Sequence, residues 1–165
     1  SDEMAKKEMA TLKLKDKNKE WYLVDFSEKM LKLAEKKAKK LKIKVKTFQS
    51  NLTKLPFPEN FFDTAIAIAS VHCIKGEKSR EKAVKELFRV LKPGAETKIA
   101  VWNKNSRRFK NYKKKEKYVA WTDKGKRYYY LFDEDEVYNL FEKCGFKIKE
   151  KLESDVNVDF VAWKP

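Results

Sequence analysis

The stretch Trp21-Tyr22-Leu23-Val24-Asp25-Phe26-Ser27 contains the features that decide the fold. Its first four residues form a compact apolar run, which is typical of a strand, and Ser27 is of a residue type that often caps helices. After Ser27, apolar side chains gather on one helical face: Met30, Leu31, Ala34, Ala38 and Leu41. The stretch therefore predicts a strand, a short turn that carries Asp25, and a helix.

The rest of the sequence continues this alternation. Further strands are predicted at 43–48, 64–69 and 98–102. Helices are predicted at 81–91, stopped by Pro93 and Gly94, and at 133–141, behind an Asp133 cap and stopped by Gly145. Two extended runs, 146–152 and 156–163, close the chain. This order predicts an α/β protein, a Rossmann-like three-layer sandwich with a mostly parallel sheet and an antiparallel C-terminal hairpin.

The first residues allow two interpretations. Apolar side chains recur at helical spacing over residues 2–14, whereas the alternation over 11–15 fits a strand that turns at 16–18 into the next strand. Both remain open. No linker or internal repeat divides the sequence, so we expect one domain over residues 1–165 with a basic and aromatic insertion at 103–130. The polar stretch 103–117 has no apolar periodicity and is expected to lie at the surface.

Composition favours a folded, cytoplasmic protein. Hydrophobic residues make up 42% of the 165 positions, which is enough to build a core. The longest uncharged apolar stretch, 65–71, is far shorter than the roughly 20 residues of a membrane span, and we expect neither a secretory signal nor membrane contact. Cys73 and Cys144 lie far apart and His72 is the single histidine, so no metal site is expected.

The charge pattern favours a polyanionic partner. The net charge is +15, and residues 104–117 contain eight Lys or Arg against one acid, interleaved with Phe109 and Tyr112. Phosphates attract cations, and unstacked bases pack on flat aromatic or guanidinium faces, so this mixture fits a single-stranded RNA loop. The other interpretation is a solvated loop whose tyrosines pack on the core, in a protein with the Lys-rich surface of heat-adapted proteins.

Several motifs resemble those of class I S-adenosylmethionine-dependent methyltransferases. In the order of that class they are Val24-Asp25-Phe26-Ser27, Asn51 with Leu55-Pro56-Phe57, Phe62-Asp63, and Leu91-Lys92-Pro93-Gly94. Three further segments resemble the tRNA wobble-uridine carboxyl methyltransferases, whose domain is of methyltransferase type 11: Ala69-Ser70-Val71-His72, Val101-Trp102 and 127–132. The resemblance implies S-adenosylmethionine as cofactor and tRNA as substrate, and it extends from about Leu14 to the C-terminus.

The resemblance also implies a set of cofactor-binding residues, namely Asp25, Phe26, Ser27, Asn51, Leu52 and Ser70. Asp25 would accept hydrogen bonds from the cofactor ribose. Asn51 stands where the family usually has an acid, and its amide oxygen can accept from the adenine amino group without a charge. The alternatives are a helix-capping Asp25 and an Asn51 that only forms a turn.

Catalytic and substrate-binding positions follow from the same resemblance. Ser70 and His72 follow a strand at the carboxyl edge of the sheet, where they would contact the cofactor sulfur or the methyl acceptor. The alternative for His72 is a hydrogen-bonded core residue, and relatives often have a second histidine where this chain has Cys73. The substrate-binding positions are Arg107, Arg108, Trp121, Arg127, Tyr128 and Tyr130.

One part of the family pattern has no counterpart. The family's first strand and glycine-rich cofactor loop would precede residue 21, but none of the four glycines lies before Gly76. The fold is therefore expected to be N-terminally incomplete. Three interpretations remain open: a shortened or incompletely represented methyltransferase, a split enzyme completed by a partner chain, or a degenerate RNA-binding relative without catalysis. A small zinc-binding activator subunit, like those of related enzymes, is a further implied partner.

Overall fold

The computed structural model describes residues 19–120 and 125–165. The two interpretations of the first residues and the predicted substrate residue Trp121 therefore lie outside the described residues. The chain divides after Pro56 into two compact units, each with its own sheet. The single domain expected over residues 1–165 stays a prediction. No helix of the described ranges is long and apolar enough to cross a bilayer.

The described part of the N-terminal unit is a β-α-β element. Strand β1 (Trp21–Asp25), helix α1 (Glu28–Leu41) and strand β2 (Val45–Gln49) follow one another, and β1 pairs with β2 in parallel. The Ser27 hydroxyl oxygen accepts a hydrogen bond from the Met30 N–H at 3.4 Å, which confirms the predicted cap. Lys42 ends the helix with a φ of 55°. The predicted strand, turn and helix are confirmed.

The C-terminal unit contains the larger sheet. The strands of this unit are β3 (Phe62–Ile68), β4 (Leu91–Trp102), β5 (Glu116–Ala120), β6 (Lys126–Tyr130), β7 (Lys147–Leu152) and β8 (Asn157–Trp163). Its helices are α2 (Glu77–Val90) and α3 (Glu134–Lys143). Four strands form one sheet in the order β3-β4-β8-β7, in which β3 and β4 are parallel while β8 is antiparallel to both β4 and β7. The α/β class and the antiparallel C-terminal hairpin are thus confirmed.

Strand β4 differs from its prediction. It begins at Leu91, seven residues before the predicted start, and runs through Pro93 and Gly94. A register shift between Phe62 and Thr64 of β3 accommodates these extra residues. Gly94 has a φ of 82°, which glycine adopts without strain, and its N–H donates to the Lys164 carbonyl at 2.7 Å. The Pro-Gly pair therefore forms an irregular strand start directly after α2 rather than a loop.

A core of aromatic side chains joins α2 and α3 to the sheet. Phe141 and Phe160 contact each other edge to face with ring centroids 5.1 Å apart, and both are fully buried. Gly145 ends α3 as predicted, with a φ of 103°, and a Cβ there would lie 2.9 Å from the Phe88 ring. Only glycine allows this close approach.

Residues 103–130 contain structure that the sequence did not predict. Strands β5 and β6 form an antiparallel hairpin in which Tyr118 lies opposite Tyr128. Turns in the preceding segment direct Phe109 inward, where its ring lies 5.0 Å from the Trp102 ring and is only 3% exposed. The expectation that 103–117 is all surface is therefore wrong, because one aromatic ring of the basic segment belongs to the core.

Candidate functional site

Asp25 ends β1 at the carboxyl edge of the parallel β1-β2 pair. Its Oδ1 accepts a hydrogen bond from the Ser27 N–H at 2.8 Å, and its main-chain carbonyl accepts from the Ser50 N–H at 3.1 Å. These bonds fix the turn between β1 and α1. No described residue of this unit donates to the other carboxylate oxygen, Oδ2. The side chain thus offers a negatively charged acceptor in a fixed position.

Phe26, the residue after Asp25, carries an exposed aromatic ring. The ring is 66% exposed, while the main chain is held in place because the Phe26 carbonyl accepts a hydrogen bond from the Gln49 amide at 3.1 Å. Since burial of an aromatic ring is favourable, the exposed ring has apolar surface left for a ligand to cover. The pair offers a charged acceptor next to an apolar face.

Asn51 forms a turn after β2, at the same edge of the β1-β2 pair. Its Oδ1 accepts a hydrogen bond from the Thr53 N–H at 3.0 Å, and the side chain is exposed. This is the turn-forming role that the sequence left open as an alternative. A contact between Asn51 or Leu52 and the cofactor adenine stays a prediction, since the amide oxygen retains a second lone pair.

The residues at this edge fit the nucleoside part of S-adenosylmethionine. Two ribose hydroxyls can donate to one carboxylate, and an adenine can pack on an exposed phenyl ring. Asp25 and Phe26 supply these two features on adjacent positions. Parallel strands of open α/β sheets bind ligands at this carboxyl edge.

Ser70 and His72 belong to the C-terminal unit and follow β3. The Ser70 hydroxyl donates to the Ile68 carbonyl at 3.0 Å, so it supports the turn that leaves the strand. His72 is 1% exposed, and its Nδ1 accepts a hydrogen bond from the Trp102 N–H at 2.9 Å. The imidazole therefore links the carboxyl ends of the adjacent strands β3 and β4.

The environment of His72 keeps the ring neutral. Burial, with a further contribution from the positive charge of Arg127, lowers the pKa of His72 to about 3. Because Nδ1 accepts a hydrogen bond, the proton of the neutral ring resides on Nε2, which is buried without a hydrogen-bond partner among the described residues. The geometry matches the core histidine that the sequence offered as an alternative, and a contact with cofactor or acceptor stays a prediction.

The predicted substrate residues divide into two groups. Arg107 and Arg108 are exposed, and the Arg108 guanidinium lies 4.9 Å from the centre of the Trp102 ring. Tyr128 is 9% exposed, and its hydroxyl donates to Glu116 at 2.8 Å. Tyr130 donates to Glu136 at 2.5 Å. Arg107 and Arg108 are thus available to a ligand, whereas both tyrosines already make internal hydrogen bonds. Arg127 is half-buried. Substrate contact by any of these residues stays a prediction.

Arg80 is a residue of this region that the sequence analysis missed. It is 6% exposed, donates to the Ile74 carbonyl at 3.1 Å, and packs 3.8 Å from the centre of the Tyr130 ring. The sequence contained a sign of this burial, because Arg80 lies on the same helical face as the apolar, buried residues Ala83 and Val84. A charged residue on an apolar face indicates a buried, partnered cation.

Lys115 connects the basic segment to the start of α3. Its ammonium group lies 2.6 Å from Asp133 and 2.8 Å from Glu136. Partial burial opposes the charge, but the hydrogen bonds to both carboxylates outweigh it and raise the pKa of Lys115. Burial and the hydrogen bond to Glu136 raise the pKa of Tyr130 to about 12. This lysine is therefore a structural member of a segment that is otherwise rich in exposed cations.

An open cleft of about 690 Å³ lies between α2 and α3. Its lining carries five acids and two bases, the acids being Glu77, Glu81, Asp133, Asp135 and Glu136 and the bases Arg80 and Lys143. The excess of acids makes the cleft negatively charged, and negative charge repels phosphate, so this cleft does not suit RNA. The exposed cations of residues 104–117 lie on a different segment.

Comparison with known proteins assigns the fold to a class. A solved structure of an S-adenosylmethionine-dependent methyltransferase from Methanosarcina mazei superimposes with a TM-score of 0.76 at 22% sequence identity, and the match covers 93% of this chain and 86% of that one. The fold is therefore the Rossmann-like fold of class I methyltransferases, as the sequence predicted. S-adenosylmethionine is the cofactor of that class.

The sequence comparisons identify the family. A family model described as a methyltransferase domain matches residues 7–97, and the chain belongs to this family. The tRNA (carboxymethyluridine(34)-5-O)-methyltransferase of Schizosaccharomyces pombe is 32% identical over 123 residues, covering 58% of this chain and 54% of the relative. The ubiquinone/menaquinone biosynthesis C-methyltransferase UbiE of Edwardsiella ictaluri is 36% identical over 74 residues, covering 44% and 28%. The chain thus spans about half the length, or less, of these relatives.

Proposed function

We propose that this protein transfers a methyl group from S-adenosylmethionine to tRNA, at a carboxylate on the side group of the wobble uridine. The observation that carries the cofactor half of the proposal is the pair formed by the Asp25 carboxylate and the exposed Phe26 ring at the end of β1. The name of the relative from Schizosaccharomyces pombe supports the substrate half.

Methylation of a carboxylate makes few chemical demands on the protein. S-adenosylmethionine supplies an electrophilic methyl group on a positively charged sulfur. A carboxylate is already ionised at neutral pH and needs no general base. The work left to the side chains is to hold the nucleoside at Asp25 and Phe26, to align the nucleophile and to exclude water.

The state of His72 supports a carboxylate acceptor over a carbon acceptor. UbiE is named as a C-methyltransferase, and a ring carbon becomes nucleophilic when a base removes a proton. The single histidine of this chain has a pKa of about 3, and its Nε2 is buried. Its Nδ1 lone pair accepts from the Trp102 N–H and its Nε2 carries the proton, so the ring offers no free lone pair to remove a proton from carbon, whereas an ionised acceptor requires no base.

Exposed cations support RNA as the polymer. The side chains of Arg107, Arg108, Lys113 and Lys114 are exposed on the segment between β4 and β5. Contacts to phosphates give affinity without sequence preference. A loop of tRNA offers both phosphates and unstacked bases to such a surface.

The second candidate is a noncatalytic RNA-binding module. The use of Asn51 in a turn favours it, because an uncharged amide stands where the family usually has an acid near the adenine. In that case RNA binding still requires the exposed arginines and does not require Asp25. The proposal further includes a protein partner, either a small zinc-binding activator subunit or a chain that completes the sheet.

Calorimetric titration with S-adenosylmethionine tests the cofactor half. Asp25→Asn retains an oxygen for the Ser27 N–H, so the turn is kept while the charge is lost. We expect a loss of cofactor affinity of about 10- to 100-fold, the range for a charged hydrogen bond. Glu28→Gln is the control, since this exposed acid begins α1 three residues away and pairs with Lys32. Equal affinity in wild type and Asp25→Asn would refute the role of Asp25, whereas wild-type binding weaker than millimolar would leave the noncatalytic module.

The chemical stability of the product tests the acceptor. tRNA is incubated with tritium-labelled cofactor and the protein, alone and with a candidate activator subunit, and the labelled RNA is then treated with mild alkali. A methyl ester releases its label as methanol, whereas a methyl group on carbon stays on the base. Label that resists alkali would rule out the carboxylate acceptor.

A further inference from the structure

Tyr118 is an exposed aromatic residue in the β5-β6 hairpin. Its side chain is 50% exposed, whereas Tyr128 and Tyr129 on the partner strand are 9% and 7% exposed. Water contact with half of a tyrosine ring forgoes favourable burial. Tyr118 therefore differs from its neighbours in having an aromatic surface that the fold leaves uncovered.

The ring of Tyr118 packs against Tyr128, whose position is fixed by other contacts. It lies opposite Tyr128 in the hairpin, and the two rings contact each other edge to face at 5.5 Å with an interplanar angle of 70°. Tyr128 is in turn held by its hydroxyl, which donates to Glu116 at 2.8 Å and lies 3.5 Å from the buried Arg80 guanidinium. A side chain in this setting is preorganised for binding, because little rotamer entropy remains to be lost.

Two cations lie beside this ring. The Lys75 ammonium is 5.9 Å from the ring centre. Lys126 is the diagonal cross-strand neighbour on the same face of the hairpin, since Tyr118 pairs with Tyr128 and Ala120 with Lys126. Such diagonal neighbours are about 7 to 8 Å apart. The acid on this face, Glu116, is already engaged by the Tyr128 hydroxyl.

The position in the sheet also suits a ligand. Lys75 follows the short helical turn Val71–Cys73, which starts directly after Ser70 at the carboxyl end of β3. Tyr118 contacts Lys75, so the ring lies close to the edge at which open α/β sheets hold their ligands.

We infer that Tyr118 is a stacking platform for one unpaired base of the RNA substrate, with Lys75 and Lys126 contacting the adjacent phosphates. The inference rests on the RNA substrate of the proposed function and assigns a binding residue within it. Aromatic rings accept any base on their flat face, and cations beside the ring bind the backbone. A base in a duplex is already stacked, so the platform selects single-stranded loops.

The test uses an RNA hairpin with a uridine-rich loop in which one loop base is replaced by the fluorescent base 2-aminopurine. Affinity is measured by titration, and stacking by quenching of the 2-aminopurine emission. Tyr118→Phe keeps the flat ring, whereas Tyr118→Leu keeps apolar bulk without it. We expect Tyr118→Leu to weaken binding about 5- to 150-fold and to restore emission, since stacking on one aromatic ring contributes about 1 to 3 kcal/mol per base. Tyr118→Phe should bind and quench like wild type.

A second pair of variants tests the cations. Lys75→Gln should lower affinity for the hairpin, while Lys78→Gln, an exposed lysine at the start of α2, should not. Equal quenching in Tyr118→Leu and wild type, or equal binding of a fully paired RNA duplex, overturns the platform. If the wild type binds no RNA, the RNA substrate of the proposed function is refuted. Cofactor titration and thermal unfolding show whether each variant is folded.

Discussion

The turn after β1 and the segment after β4 use aromatic residues in opposite ways. Phe26 is 66% exposed next to Asp25 in the sequence, whereas Phe109 is 3% exposed although it lies in the basic segment 104–117. The turn after β1 fixes its backbone by hydrogen bonds and leaves the ring uncovered. The segment after β4 does the reverse, because its ring packs on Trp102 and its cations remain outside. An aromatic ring in a functional motif is thus a binding candidate only when the fold leaves it uncovered.

The largest expected effect comes from removing the buried ring. Phe109→Ala should lower the free energy of unfolding by about 3 to 5 kcal/mol, because it leaves a cavity beside Trp102 and Tyr129. Tyr118→Ala, at a ring that is 50% exposed, should cost far less. Urea denaturation of both variants measures the difference. Similar destabilisation by the two substitutions would contradict the distinction between core ring and surface ring.

The next effect concerns acid stability. The folded protein holds the pKa of His72 at about 3, whereas an unfolded histidine has a pKa of about 6.5. Between these values the unfolded chain binds the additional proton, so the stabilisation is complete above about pH 6.5 and is lost as the pH falls. The loss should reach about 2 kcal/mol at pH 5 relative to pH 8.

His72→Asn is the control for that prediction. Asparagine can place its side-chain oxygen near the position of Nδ1 and accept from the Trp102 N–H, but it does not titrate. Unfolding free energies are measured across this pH range for both proteins. A difference between wild type and variant that does not change with pH would show that the histidine is exposed to water in solution.

A smaller effect should follow from neutralising four exposed cations, Arg107, Arg108, Lys113 and Lys114, to glutamine. RNA affinity should fall, and the slope of log affinity against log salt should flatten by about 0.7 for each phosphate that the variant no longer neutralises. Binding of the labelled hairpin at several salt concentrations gives the slope. An unchanged slope would mean that this segment is only a solvated loop.

The smallest effect should come from Lys115, the partly buried cation of the same segment. Lys115→Met removes the ion pairs with Asp133 and Glu136, and since the Lys115 side chain is 41% exposed we expect a decrease of about 1 kcal/mol or less in the free energy of unfolding. The salt slope of RNA binding should not change. A flatter slope would place Lys115 with the RNA-binding cations rather than with the α3 start.

The sequence was a good guide wherever local chemistry decides the structure. Ser27 and Asp133 begin helices, Gly145 ends one, and the apolar runs predicted at 21–24 and 64–69 form strands, the second ending one residue early at Ile68. Each of these depends on neighbours within a few residues, which sequence periodicity captures. The motif around Asp25 also resolved into a turn with a fixed carboxylate.

Where residues distant in sequence determine the structure, the sequence was not sufficient to predict it. The inward direction of Phe109 depends on Trp102 and Tyr129, which are separated from it along the chain. The start of β4 at Leu91 depends on pairing with β3, since Pro93 and Gly94 locally favour a turn. The buried Arg80 depends on the ring of Tyr130, fifty positions later. Tertiary partners override local preference at all three places.

The place of β8 in its sheet affects the time at which the protein can fold during synthesis. This strand, Asn157–Trp163, lies between β4 and β7, so β4 lacks its second neighbour until these residues have left the ribosome. Until then the apolar face of a growing chain stays uncovered, a condition that invites aggregation and chaperone binding. Translation that stalls within β8 should therefore yield a species recognised by quality control, whereas the β-α-β element at 21–49 has by then been synthesised.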